Sequence, residues 1–165
     1  MKKLVAAAAA ATLIAVSAAA LTAALPAQAT TFSLRVIYVA SGVFDSGDLA
    51  DVGTATSVHC TNLSGKTATV RVLFYSRNGL VEGFNSGPLA NLETRTISTH
   101  ATYFGETYLG TGAIGQGVLK VLSTESGVFC SAMLVDASGG PGAADVPEGI
   151  DLHMVRYNQH PGTVE

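Results

Sequence analysis

The sequence predicts an all-β domain, a sandwich or a barrel made of about eight short strands. Thr, Val, Ser and Gly dominate the chain after its first 30 residues, and apolar residues alternate there with polar ones. Alternation with a period of two is the pattern of a strand with one buried face, whereas helical periodicity is almost absent. Clusters of Gly, Asn, Ser and Pro separate the alternating runs, as expected for turns between short strands.

The alternating runs give the elements in order. The first strand is "FSLRVIYV" (32–39), and a loop rich in Gly, Ser and Asp follows at 40–53. Further strands are predicted at 54–61, 66–77, 80–86, 93–99, 116–124, 127–136 and 150–158. Residues 102–110 are predicted as a short strand or an irregular crossover, and loops are predicted at 87–93 and 137–149. The strand at 93–99 has polar residues on both faces, which places it near a sheet edge.

The run at 66–77 has the clearest alternation in the chain. One face is wholly apolar, with Ala68, Val70, Val72 and Phe74. The other face carries Thr67, Thr69, Arg71, Leu73 and Tyr75. A sheet that is covered on one side requires this pattern.

Three turn signals predict hairpins. Residues 62–65 (Asn-Leu-Ser-Gly) precede the strongest strand, and Asn78-Gly79 follows it. A third turn, at 125–127 (Glu-Ser-Gly), separates two further strands. Asn and Gly tolerate positive φ and Ser bonds its own backbone, so each segment favours a tight reversal between neighbouring strands.

The N-terminal residues predict export. Lys2 and Lys3 precede an apolar run, Pro26 breaks it, and 27–29 (Ala-Gln-Ala) matches the small-x-small pattern of a cleavage site. The prediction is a helical signal peptide at 1–29 and one β-sandwich domain at 30–165, in the periplasm or the extracellular space, with no stable membrane insertion after cleavage. The alternative is an uncleaved anchor, since the run is long enough to span a bilayer.

The charge balance excludes two classes of partner. Cleavage of the leader removes Lys2 and Lys3, so seven basic residues face twelve acidic ones and the net charge becomes −5. Nucleic-acid binding requires clustered Lys and Arg, and adhesion to anionic lipid requires a polybasic segment. Neither feature is present in the sequence.

The two cysteines, Cys60 and Cys130, predict a disulfide. In an oxidising compartment an even number of cysteines indicates pairing. Each alternates with apolar neighbours, so both are expected on the core side of their strands. A buried reduced pair is the alternative. A catalytic cysteine would need exposure and a lowered pKa, and the apolar neighbours do not favour that.

A glycine motif in this chain resembles a nucleotide-binding loop in letters only. "GTGAIG" (110–115) matches G-x-G-x-x-G, which in a dinucleotide site leads from a strand into a helix. Here the residues that follow have the periodicity of a strand, and no βαβ unit surrounds them. The expectation is a turn or bulge and no cofactor.

The four histidines, His59, His100, His153 and His160, lack the spacing of a zinc site in the sequence. We expect them on the solvated surface, with His59 facing away from Cys60. No metal site is predicted.

An acidic loop is a weak candidate for calcium. Asp45, Asp48 and Asp51 fall in the predicted loop at 40–53, although the spacing of an EF-hand is missing. An ordinary acidic loop is the alternative.

The C-terminal run "HMVRYNQHPG" (153–162) is the most unusual polar cluster. Its His153, Arg156, Tyr157, Asn158 and His160 are candidates for a binding surface. The alternative is a strand end in which the arginine pairs with a carboxylate and the asparagine opens a turn.

The combination of "SVHCTNLSGKTATVRVLFYSRNG", "GVFCSAMLVDA" and "LHMVRYNQHPGTVE" resembles a group of small exported bacterial proteins without assigned function. The strand number and the two core cysteines also resemble immunoglobulin-like domains, which implies a Greek-key antiparallel β-sandwich of about 7–9 strands. The chain has no Trp, and Val128 stands where an antibody-type domain has its corner Tyr. These departures favour an immunoglobulin-like relative over an antibody-type domain.

The expected function is a non-enzymatic, exported structural or protein-interaction module that binds an envelope or extracellular protein through loops or an edge strand. Two other classes stay open. One is an extracytoplasmic ligand- or metal-binding protein that uses Asp45, Asp48 and Asp51 or the histidines. The other is an enzyme assembled from scattered residues such as Arg156, His153 and a loop Asp.

Overall fold

The computed structural model describes residues 33–48, 52–103, 107–138 and 149–157, all of which belong to the unit Phe32–Glu165. Within these residues it contains ten strands and no helix. The strands are β1 (Arg35–Asp45), β2 (Thr54–Asn62), β3 (Ala68–Ser76), β4 (Val81–Leu89), β5 (Thr94–Ser98), β6 (Thr107–Tyr108), β7 (Ile114–Ser123), β8 (Val128–Asp136), β9 (Gly149–Leu152) and β10 (Val155–Arg156).

The strands form two five-stranded sheets. Sheet A has the order β10-β1-β7-β3-β4, and sheet B has the order β6-β5-β2-β8-β9. Neighbouring strands are antiparallel except for β5 and β6, which are parallel. The prediction of an all-β, sandwich-like chain is confirmed at this level.

One hydrophobic cluster joins the two sheets. Sheet A contributes the predicted inner row of β3, and Val70, Val72 and Phe74 are each at most 4% exposed. Sheet B contributes Val58 and Ile97, among others, to the same cluster. Burial of apolar surface between the sheets is the main stabilising contribution, at about 25 cal/mol per Å².

The first strand is longer than predicted. The loop prediction for 40–53 is wrong at its start, because β1 runs to Asp45, which lies opposite Ile114 on β7. The register shifts on both sides of Val43, and Gly42 has a φ of 86°. Glycine adopts a positive φ at little steric cost, so the polar and small residues here form a bulge within the strand instead of ending it.

Of the three predicted hairpins, only the one at Asn78-Gly79 is confirmed, since β3 and β4 are antiparallel neighbours in sheet A. The turn at 62–65 joins β2 of sheet B to β3 of sheet A, and the turn at 125–127 joins β7 of sheet A to β8 of sheet B. Turn residues specify that the chain reverses, but the apolar faces of the strands decide which sheet the next strand enters.

Asn62 fixes the crossing between the sheets. Its side chain is fully buried, and its Nδ2 donates to the carbonyl oxygens of Lys66, at 2.7 Å, and Leu89, at 2.8 Å. Its Oδ1 accepts from the Ser64 backbone at 3.0 Å. The turn-forming asparagine that the sequence indicates therefore also binds the end of β4.

The loop predicted at 87–93 also begins later than expected, because β4 continues to Leu89. Pro88 lies opposite Thr69 in this strand. Proline is accepted here because β4 is an edge strand of sheet A, where a ladder donor is missing on one side without cost.

The C-terminal prediction of one strand at 150–158 is replaced by two short strands in different sheets. β9 pairs with β8 in sheet B, and β10 pairs with β1 in sheet A. The predicted signal peptide at 1–29 lies outside the described residues. Among the residues that are described, no helix has the length and apolar character needed to cross a membrane.

Candidate functional site

The two cysteines form the predicted disulfide. Cys60 on β2 and Cys130 on β8 lie directly opposite each other, and their Cα atoms are 4.2 Å apart. Cys60 is buried and Cys130 partly so, at the margin of the core. The bond joins neighbouring strands within sheet B, whereas the bridge of antibody domains joins the two sheets. A disulfide removes both thiols from nucleophilic chemistry and from metal binding.

The expectation of a surface histidine is wrong for His100, which is 6% exposed. Its Nδ1 lies 2.8 Å from the Asp45 Oδ2, and its Nε2 lies 3.1 Å from the carbonyl oxygen of Val52. Both ring nitrogens therefore lie within hydrogen-bond distance of an oxygen acceptor. The pair connects the end of β1 in sheet A to the segment that follows β5 in sheet B.

The same contact changes the interpretation of the acidic loop. Asp45 is 2% exposed, and its second oxygen accepts from the Gly47 backbone at 2.7 Å. Asp48 is exposed, and Asp51 lies outside the described residues. In the described part of the chain, no group of three His, Cys, Asp or Glu side chains lies close enough to hold a metal ion.

His59 lies in a row of hydroxyl groups on the outer side of sheet B. It faces away from Cys60, as predicted, and its Nδ1 is 2.9 Å from the Thr96 Oγ1. Beside it, the hydroxyl oxygens of Thr61 and Thr94 are 2.8 Å apart. Burial lowers the pKa of His59 below its usual 6.5 because the charged ring loses solvation.

Of the predicted C-terminal binding surface, Asn158 and His160 lie outside the described residues, while His153 and Tyr157 are exposed. Among the described residues, Arg156 pairs with no carboxylate. Its Nη2 donates to the Ser126 carbonyl oxygen at 2.7 Å.

The Arg156 guanidinium also lies 5.7 Å from the ring centres of both Tyr38 and Phe129. It therefore links β10 and β1 of sheet A to β8 of sheet B. This position gives the arginine a structural role in closing one side between the sheets.

The G-x-G-x-x-G match leads into a strand, as expected. Gly110 and Gly112 have positive φ, and β7 begins at Ile114. Ala113 and Gly115 line an open hollow of about 490 Å³ beside Arg77 and Glu82. No helix N-terminus faces this hollow within the described residues, so the arrangement required for a pyrophosphate is missing there.

The outer face of sheet A is an unusual surface that sequence reasoning missed. The pairing register sets Leu73 between Phe84 on β4 and Lys120 on β7, and it sets Tyr75 between Val81 and Val118. We call this surface the sheet A face and define it by Val39, Arg71, Leu73, Tyr75, Val81, Phe84, Val118, Lys120, Leu122 and Val155. Eight of these ten residues are apolar or aromatic, and the polar Ser41 and Ser86 lie on the same side, opposite Val118 and Arg71.

Several side chains of the sheet A face are open to solvent. Phe84 is 58% exposed, Val81 50% and Val155 49%. Val155, Val39 and Val118 also line a shallow hollow of about 260 Å³, together with His153. An antiparallel sheet with one solvated face normally places polar side chains on it, so the composition of this face needs a reason.

Two cations lie among these side chains. The Arg71 guanidinium is 5.9 Å from the centre of the Phe84 ring, and the Lys120 ammonium is 4.8 Å from the centre of the Tyr75 ring. Arg71 Nε is buried and has no hydrogen-bond partner. The ion pairs found in the described residues involve neither cation.

Comparison with known proteins adds little. No protein-family model matches the chain, and no curated protein matches it. A structure described as "Crystal Structure of Thermotoga maritima 1070" aligns with a TM-score of 0.42 and 13% identity, over 72% of this chain and 92% of that chain. The function of the chain is therefore inferred from its own residues.

Proposed function

We propose that this chain is an exported, non-enzymatic β-sandwich module that binds another protein through the sheet A face. The observation that carries the proposal is the run of apolar and aromatic side chains outside the core, from Val155 at one edge strand to Phe84 at the other. Contiguous exposed apolar surface of this kind marks interaction sites in soluble proteins.

The side chains of this face match those of protein interfaces. Tyr, Phe and Arg are enriched in the buried centre of such interfaces, and Tyr and Arg dominate the binding energy. Tyr75, Phe84 and Arg71 lie within two residues of Leu73 along or across the sheet. A rigid sheet holds these groups in place before binding, which reduces the entropy lost on association.

Export is supported by two features. The leader at 1–29 has the sequence pattern of a signal peptide. The Cys60–Cys130 disulfide indicates an oxidising compartment, the periplasm or the extracellular space. The immunoglobulin-like resemblance belongs to the proposal as well, since two antiparallel sheets share one core, while the position of the disulfide separates the chain from antibody domains.

The proposal is tested by selecting binders and mapping them to a face. A library of random 12-residue peptides is panned against the folded chain, and the enriched peptides are titrated against two variants. Phe84→Asp places a carboxylate on the sheet A face. Thr94→Asp makes a matched change at an exposed position on the outer side of sheet B.

We expect Phe84→Asp to weaken binding at least about tenfold, because it removes an aromatic contact at the interface. Thr94→Asp is expected to leave binding unchanged. Circular dichroism spectra that match the native chain confirm that both variants fold. Peptides that bind the native chain and Phe84→Asp equally would contradict the sheet A face as the binding surface.

A further inference from the structure

The half-buried cations of the sheet A face differ from the other half-buried cation in the described residues. Arg95 Nη2 donates to the Pro88 carbonyl oxygen at 2.5 Å and lies 3.3 Å from the Glu93 Oε1. Arg71 and Lys120 are equally half-buried but contact only aromatic rings. The fold thus supplies oxygen acceptors to Arg95 and leaves Arg71 and Lys120 without them.

Among the described residues, no acid stands beside the two cations on β3 or β7, and the acid of β4, Glu82, lies at the bulge next to Tyr75 and lines a hollow with Gln116. The outward positions of β3 are Thr69, Arg71, Leu73 and Tyr75, and those of β7 are Gln116, Val118, Lys120 and Leu122. A partly desolvated cation that lacks an oxygen partner loses hydration without compensation. A carboxylate brought in by a partner would restore it, and charge-assisted hydrogen bonds are about twice as strong as neutral ones.

We propose that the partner is a protein segment that presents carboxylates between apolar side chains, and that Arg71 and Lys120 recognise those carboxylates. This inference rests on the proposed function of the sheet A face. Within the described residues, the charged group of Arg71 lies against the Phe84 ring, and its buried Nε is not satisfied by the chain. The apolar neighbours of the two cations favour a protein partner over a polysaccharide, whose surface is dominated by hydroxyl groups.

The spacing of the two cations matches an extended acidic segment. Arg71 lies opposite Leu122, and Lys120 lies opposite Leu73, so the cations are diagonal neighbours on adjacent strands. Diagonal neighbours in an antiparallel pair are about 7–8 Å apart. Residues two positions apart on a strand are about 6.7 Å apart, so acids at alternate positions of one extended segment reach both cations.

A second copy of this chain is the wrong occupant for this surface. A two-fold symmetric contact centred on Arg71 and Lys120 would set this pair of one copy against the same pair of the other. Like charges facing each other in an interface cost several kcal/mol. The charge of the face therefore selects a different, acidic partner.

The test uses the peptides enriched from the random 12-residue library and compares two double variants of the full chain. Arg71→Gln/Lys120→Gln removes the two central charges. Arg35→Gln/Arg77→Gln removes two exposed charges and gives the same net charge. We expect the enriched peptides to contain Asp or Glu together with aliphatic or aromatic residues, often with two acids at alternate positions.

We expect the first variant to weaken binding at least about tenfold and the control to weaken it less than about twofold. The charge-reversed variant Arg71→Glu/Lys120→Glu is expected to select Lys- and Arg-containing peptides instead. Thermal melting of each variant shows that it is folded.

Three outcomes would overturn the inference. If neutral or basic peptides bind the native chain and the Gln variant equally but still lose binding to Phe84→Asp, acid recognition fails while the proposed function stands. If retention on polygalacturonate replaces peptide binding, the partner is an acidic polysaccharide. If the native chain sediments as a dimer that Phe84→Asp dissociates, the occupant is a second copy. If peptide binding is the same for the native chain and for Phe84→Asp, the proposed function itself is refuted.

Discussion

The outer sides of the two sheets use their polar groups in opposite ways. On sheet B, hydroxyl groups and His59 bond to one another, as in the contacts from His59 to Thr96 and from Thr61 to Thr94. On sheet A, Arg71 and Lys120 have no oxygen partner among the described residues and lie against aromatic rings. Both surfaces belong to five-stranded sheets of the same sandwich-like fold.

We propose that the difference separates a stabilising side of the molecule from a recognition side. Sheet B carries the disulfide and side-chain hydrogen bonds between β2 and β5, which hold the strands together. The sheet A face keeps cations and exposed rings that contribute little to its own stability. Exposed apolar and aromatic groups of this kind are typical of surfaces that bind another molecule, which supports the proposed function.

The largest effect on stability is expected when the disulfide of sheet B is removed. Cys60→Ala/Cys130→Ala is expected to lower the free energy of unfolding by about 4 kcal/mol, because the bond closes a long loop in the unfolded chain. Urea unfolding of the native chain and of the variant measures this change in the free energy of unfolding. Peptide affinity for the sheet A face should be unchanged below the unfolding transition. A stability equal to that of the native chain would contradict this division of roles.

The next effect concerns the link between the sheets. Asp45→Asn removes the carboxylate that lies against the buried His100 and is expected to cost about 2 kcal/mol, because it disturbs a buried polar contact between the sheets. Asp48→Asn, at an exposed position in the same segment, is the control and should change stability by less than about 0.5 kcal/mol. Equal melting temperatures for the two variants would show that the Asp45–His100 pair does not hold the sheets together.

A smaller effect depends on pH. The folded-state pKa of His59 is lowered by burial, so below pH 6.5 the unfolded chain takes up a proton that the folded chain resists. This contribution to stability is fully present above pH 6.5 and declines as the pH falls toward the lowered pKa. His59→Gln should therefore lose less stability than the native chain between pH 7.5 and pH 5.

The pH measurement has a matched control in His153→Gln, which changes an exposed histidine. Urea unfolding at several pH values is compared for the three chains. The His153 variant should follow the native profile. A His59 variant with the same pH dependence as the native chain would mean that burial on sheet B does not affect this ring.

The smallest effect on stability is expected on the sheet A face. Phe84→Ser changes a side chain that is 58% exposed, so the free energy of unfolding should move by less than about 0.5 kcal/mol. The same change should abolish most peptide binding. A large loss of stability would place Phe84 among the stabilising residues and remove the contrast between the two outer faces.

The sequence predicts those features that depend on one strand alone, such as which of its faces is buried. The alternation at 66–77 gives the inner row of β3, and the apolar neighbours of Cys60 place it in the core beside Val58. Hydrophobic period and turn chemistry are local signals, so they survive without knowledge of the neighbouring strands. The disulfide is predicted from the even number of cysteines together with the predicted export of the chain.

Features that depend on which strands are neighbours could not be predicted from the sequence. The turns at 62–65 and 125–127 look like hairpins, but their strands enter different sheets. His100 has no partner nearby in sequence, because Asp45 lies 55 residues away. Each long-range contact depends on the strand order, which local periodicity does not contain.

The sheet A face was missed for the same reason. On β3 alone, Leu73 and Tyr75 alternate with core residues and share their side with Thr and Arg, which resembles an ordinary solvated face. Only the register adds Phe84 from β4 and Val118 from β7 to that side. The apolar surface is assembled from several strands, each of which contributes one to three unremarkable residues.

The most direct test of the sheet A face as the binding surface is an NMR titration of the isotope-labelled chain with an enriched acidic peptide. We predict chemical-shift changes in β3, β4 and β7, centred on Arg71, Leu73, Phe84 and Lys120, with β2, β5 and β8 unaffected. Changes centred on the outer side of sheet B, around His59 and Thr94, would contradict the proposed function.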